Sequence, residues 1–311
     1  MPYRKLVTID EKIKQRPEVK ILVFFALMLS LVAIPYIFIV YRTHLLTDRP
    51  GLSNSLLEGL FAVSAVLAVF LMQRTPGHLP LASYGFRWRG IVSQTAIGAG
   101  IGLAIMSAVI NVLRLTGHYQ IENVNPSFSV LSPAVLYLFV AIFEETVFRG
   151  FIFVTLEDKW GSFVALTTTS LLFGLAHLVD TVPGVSFAHH LRSAIFIGFE
   201  AGILLTAAFM LTRSLWLGIG IHWAWNFFEG PFYGASVSGT NDVSTFYRAH
   251  TMGSQLLTGG TFGPEGGIVC LIIGTLTGLW MLRLVIKQGQ WRRNPELVLA
   301  PSPMSEIAEK S

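Results

Sequence analysis

The chain has 311 residues, of which 52% are hydrophobic and only 13% are charged, with a formal net charge of +4. Soluble domains carry roughly 25% charged residues, so this composition is too poor in charge to cover a soluble surface. The excess of Lys and Arg calls for no nucleic-acid partner, because basic residues collect where anionic headgroups lie.

The apolar residues fall in long runs, each near the ~20 residues that a helix needs to cross a bilayer. In chain order the runs predict eight spans: Ile21–Tyr41, Leu56–Met72, Gly90–Leu113, Val130–Val154, Ser162–Val179, Leu191–Leu211, Leu215–Phe228 and Gly266–Ile286. The expected fold class is all-α, a polytopic membrane helix bundle of about eight transmembrane helices. A β-barrel is disfavoured, because the runs do not alternate apolar and polar residues. The first run lacks an A-x-A-like exit and reads as a retained anchor rather than a signal peptide. The seventh is short and carries Gly218 and Gly220, which suits a position inside the bundle.

With the N-terminus in the cytoplasm, sixteen of the 22 Lys and Arg fall on the cytoplasmic side, five on the other, and Arg149 within a span. That bias, with an even span count, predicts cytoplasmic termini. The expected location is integral and multi-pass, in the inner cell membrane for a bacterial source. The domain reading is a cytoplasmic lead over 1–20, N-terminal spans over 21–129, a membrane core over 130–290 and a disordered cytoplasmic tail over 291–311. The loop 230–265, rich in Gly, Ser and Thr, falls on the external side and suits a partly ordered cover for the bundle mouth. Cys270 is the one cysteine and lies in the last span, so no intramolecular disulfide can form.

Ionisable residues within spans are costly and usually functional. The densest cluster is Phe143-Glu144-Glu145-Thr146-Val147-Phe148-Arg149-Gly150. Glu145 and Arg149 are four residues apart and share a helix face in the favoured acid-before-base order. Glu144 points elsewhere and is left as a free carboxylate, suited to a general base. A purely structural ion-pair cluster is the competing reading. A second cluster ends in His177, four residues after Phe173, and a third places His222 and Asn226 four residues apart in an apolar helix. Their plainer reading is interhelical hydrogen bonding.

Together, Glu-Glu-x-x-x-Arg, Phe-x-x-x-His and His-x-x-x-Asn in this order resemble the CAAX-protease and bacteriocin-processing family, which includes the type II prenyl endopeptidases. The resemblance covers roughly residues 130–235. It implies an intramembrane endopeptidase acting on a membrane-associated peptide or protein in the lipid bilayer, with catalytic residues Glu144, His177, His222 and Asn226. Glu144 and His177 would activate a water, while His222 and Asn226 would hold that water and stabilise the oxyanion. Glu145, Arg149 and Phe173 are expected as supporting residues, and a prenylated substrate is not implied.

Glu144, His177 and His222 also form a conceivable zinc set. The His-Glu-x-x-His signature is absent, so a metal-free glutamate mechanism without cofactor is favoured and zinc stays open. Glu200, mid-membrane in the sixth span, is a further supporting candidate. His189 and His190 are expected to be solvated in a loop, and Trp223 and Trp225 to pack in the bundle or wall the pocket. Gly150 and Gly174 are expected to permit close helix approach. The alternatives to a protease are a non-catalytic membrane scaffold or immunity protein of the same fold, and a proton-coupled transporter.

Overall fold

A computed structural model describes residues 16–43, 50–75, 79–179, 185–241 and 244–293. Helix α1 spans Pro17–Thr43, α2 Pro50–Met72 and α3 Ile91–Leu115, followed by strand β1, Tyr119–Val124. Helix α4, Leu131–Glu144, passes through a π-helical stretch, Glu145–Phe153, into α5, Val154–Ala176. Helix α6 is Phe187–Thr212 and α7 is Leu215–Phe227, which ends in a second π-turn, Phe228–Phe232. Strand β2, Tyr247–Thr251, pairs antiparallel with β1, and α8, Ile268–Lys287, closes the order. The helical architecture follows from the apolar runs, since a backbone in lipid must satisfy its hydrogen bonds internally.

Among the described residues six helices are long and apolar enough to cross a membrane, and the chain is an integral multi-pass membrane protein. One of the six, Leu131–Ala176, is 46 residues long and contains two of the expected spans. They separate at Gly161, whose φ of 79° and ψ of 174° break the helix in a conformation that L residues rarely adopt. The remaining expected span, α7, is too short to qualify, and its residues are buried among its neighbours. A short helix can sit in the interior because adjoining helices, rather than lipid, surround it.

The ends of the bundle are tied differently. At one end, Arg213 forks onto Glu157 (2.5 and 3.1 Å), and the Glu157 carboxylate also accepts from Ser162 Oγ at 2.6 Å. Arg292 N donates to Ser162 Oγ at 2.9 Å, so residue 292 is packed against α5 next to its break at Gly161. Residues 294–311 of the expected tail lie outside the described residues, as do 1–15 of the lead. Residues 17–20 of that lead belong to α1. The Trp216 indole donates to Arg87 O at 2.6 Å at the same end.

At the opposite end lie the β1–β2 ribbon and the loop after α7. Asn125 N donates to Phe246 O at 2.8 Å, and Tyr119 Oη to Tyr233 O at 2.5 Å. His189 and His190 are buried here in the first turn of α6, not solvated as expected. His189 Nδ1 lies 3.0 Å from Gln255 Oε1 and its Nε2 2.9 Å from Gly259 O, so the loop covers it. Their burial depends on a cover far along the chain, which local sequence does not reveal.

Of the glycines expected at close contacts, Gly174 is the sharper case. A Cβ there would collide with the Ala194 carbonyl of α6, whereas on Gly150 it would lie 3.2 Å from Tyr84 O. Gly174→Leu is expected to force α5 and α6 apart at a cost of about 1–3 kcal/mol. Thermal unfolding in detergent checks this, and an unchanged midpoint would contradict it.

Candidate active site

The π-helical stretch sets the direction of the acidic cluster. A π-turn inserts an extra residue per turn and re-aims side chains, and such turns often occur at functional sites. Glu145 turns into the bundle, and Glu144, with its side chain 20% exposed, lines a cavity. The cavity has a volume of about 160 Å³. Glu144, Phe173, His177, His222 and Asn226 all line it, so the three sequence clusters converge. The walls come from α4, α5, α6 and α7, and the roof from Val237, Ser238, Thr240 and Glu265 of the external loop.

Beneath the cavity Arg149 is fully buried. Its Nη1 donates to Glu145 Oε1 at 2.8 Å, Nη2 to Ala201 O at 3.2 Å and Nε to Thr206 Oγ1 at 3.4 Å. The guanidinium also stacks over the Phe173 ring, 4.2 Å from its centroid. One cation therefore joins the π-stretch, α6 and the second motif. The expected Glu145–Arg149 pair forms and acts as a floor. A side chain at Gly218 would place its Cβ 2.8 Å from Glu145 Oε2, which explains the bare backbone opposite this carboxylate.

His222 joins the floor to the cavity. Its Nδ1 lies 3.1 Å from Glu145 Oε1, and its Nε2 lies 3.7 Å from Glu144 Oε2. A carboxylate held by Arg149 accepts hydrogen bonds, so Nδ1 carries a proton and Nε2 faces Glu144. His177 is fixed by the same reasoning. Its Nδ1 sits 2.8 Å from Phe173 O, and a carbonyl only accepts, so Nδ1–H donates and Nε2 of the neutral ring remains an acceptor. Glu144 Oε2 is buried with no hydrogen-bond partner among the described residues.

The immediate ionisable neighbour of Glu144 is thus His222, whereas sequence reasoning paired Glu144 with His177. His177 faces the same space from the end of α5. Glu200 is buried beside Cys270 and does not line the cavity, although the adjacent Ala201 does. Trp225 lines the cavity, and Trp223 instead donates to Ala134 O at 2.9 Å in the bundle. Among the described residues no three His, Cys, Asp or Glu side chains gather as a metal site. The donor set Glu144, His177 and His222 does not converge as a zinc cage.

Residues 126–228 match the family model of the type II CAAX prenyl endopeptidases, Rce1-like. This segment of the chain is CAAX-protease-like. Comparison with curated proteins and with solved structures returned no match. The matched segment contains all three motifs and ends just before the loop that roofs the cavity. The CAAX-protease-like match supports a peptidase at the level of class.

Two carboxylates that the motifs do not include hold the roof. Glu229, fully buried in the π-turn after α7, accepts from Glu265 N at 2.9 Å. Glu265 Oε1 in turn accepts from Ser238 N at 2.6 Å and Ser238 Oγ at 2.7 Å. Ser238 has a φ of 48°, an uncommon conformation for a residue with a side chain. No helical or strand period marks this arrangement in the sequence. The one available signal was the acidic residues at the two edges of a Gly-rich loop of few charges. Replacing Glu265 by Ala leaves the Ser238 N–H without its acceptor, a loss of about 1–3 kcal/mol held locally. Limited proteolysis is expected to nick the 233–266 loop faster in Glu265→Ala, and an unchanged pattern would contradict this holding role.

Proposed function

We propose that the chain is an intramembrane endopeptidase of glutamate type, hydrolysing a peptide bond in a membrane-associated peptide or protein. The observation that carries this reading is Glu144 Oε2, which accepts no hydrogen bond among the described residues and belongs to a side chain lining a cavity shared with His177, His222 and Asn226. A water between Glu144 and the Nε2 of His177 meets two acceptors. It donates a hydrogen to each and turns a lone pair toward a substrate carbonyl. As the new C–O bond forms, Glu144 takes the proton, and it later returns that proton to the leaving amine.

The developing oxyanion needs donors. The Asn226 amide supplies N–H groups in every protonation state of the site. His222 supplies Nε2–H only as the imidazolium, because its other nitrogen is committed to Glu145. Both donors are mostly buried, and preoriented donors gain strength away from bulk water. Both termini are taken to be cytoplasmic, as the charge bias suggests. Nothing in the cavity calls for a prenyl group on the substrate.

The test is cleavage of a quenched peptide library by purified protein in nanodiscs. His222→Ala and Asn226→Ala are each expected to lower turnover by about 10²–10³-fold, the usual loss for one oxyanion donor. Wild-type turnover in both variants, with substrate cleaved normally, would sink the assigned roles.

A further inference from the structure

We propose that the cavity opens on the non-cytoplasmic face of the membrane, so the substrate is a peptide segment presented on that face rather than a cytoplasmic C-terminal tail. This rests on the endopeptidase reading for the word substrate, but not for the orientation. The first observation is the chemical difference between the two ends of the bundle. The end tied by Glu157, Arg213, Trp216 and Arg292 also carries Arg74, Arg87, Lys159 and Lys287. The end bearing the β1–β2 ribbon carries Arg114, Arg192 and Arg248. Basic residues flanking spans are retained on the cytoplasmic side, which makes the ribbon end non-cytoplasmic.

The second observation is independent of charge. The cavity belongs to the ribbon end: its roof is the Val237–Thr240 turn with Glu265, and His177 enters from the last turn of α5. Towards the basic end the path is closed. The Arg149–Glu145 pair forms the floor, and below it Phe24, Phe151, Phe153 and Phe209 are buried, with Phe24 and Phe151 stacked at 4.1 Å. A peptide arriving from the basic end would have to displace a buried ion pair and this aromatic plug. From the other end it needs to displace only a loop.

Orientation is read first, without activity. In a Cys270→Ser background, single cysteines replace Ser127 beside β1 and Gln288 after α8, both exposed. In spheroplasts, a membrane-impermeant maleimide is expected to label Ser127→Cys, and Gln288→Cys only after permeabilisation. The reverse pattern overturns the proposal. In the same spheroplasts, an impermeant quenched peptide library added outside is expected to be cut by wild type and not by Glu144→Gln. Cleavage confined to inside-out vesicles also overturns it. Cleavage from neither face, with labelling as expected, removes the endopeptidase reading and the substrate assignment while the outward cavity stands.

Discussion

Glu144→Gln is expected to reduce peptide cleavage by about 10²–10⁴-fold or more, the range that a general base contributes, while leaving the fold intact. The substitution keeps the shape of the side chain and removes its capacity to accept a proton. Glu144 makes no hydrogen bond that supports the bundle among the described residues, and its one ionic neighbour, His222 at 3.7 Å, keeps the Glu145 contact. A thermal midpoint close to wild type should therefore accompany the loss of activity. Loss of both together would instead assign Glu144 to the structural ion-pair cluster.

Arg149→Met is expected to act the other way round, through stability. The guanidinium is fully buried, bonded to Glu145 and Ala201, and stacked on Phe173. Its removal leaves the Glu145 carboxylate, 1% exposed, with only His222 to compensate it. Breaking one partner of a buried pair costs about 3–5 kcal/mol, because the other charge stays desolvated. Replacing both, in Glu145→Leu with Arg149→Met, is expected to recover part of the loss, since apolar substitutes avoid that cost. Unfolding of purified protein in detergent measures both variants. A double variant less stable than Arg149→Met alone would contradict this account of the floor.

Much of the bundle was readable because lipid imposes one dominant requirement. A run of apolar residues must be helical there, so the spans emerged from hydropathy, including the short α7, whose glycines indicated an interior position. The Glu145–Arg149 pair was readable from four-residue spacing, which survives within the π-stretch. The π-turn was not readable, since no residue pattern announces an extra residue per turn. Consequently the separation of Glu144 from Glu145 was anticipated, but the approach of His222 to both was not. The Glu229–Glu265–Ser238 chain joins residues far apart in sequence, and loops carry no period from which such pairing can be inferred. His189 and His190 were misjudged for the same reason. Glu200 stood out because an ionisable residue in an apolar helix is conspicuous, yet it faces Cys270 rather than the cavity.

The proposed hydrolysis depends on a carboxylate, acting without metal, to activate the water in this cavity. The most direct measurement is mass-spectrometric detection of new peptide termini after incubating a peptide library with purified protein in nanodiscs, with a zinc chelator present. Wild type is predicted to generate new termini at the same rate with and without chelator, and Glu144→Gln to generate them at least about 10²-fold more slowly. Equal cleavage by the two proteins, or cleavage that disappears with chelator and returns with zinc, would contradict the account.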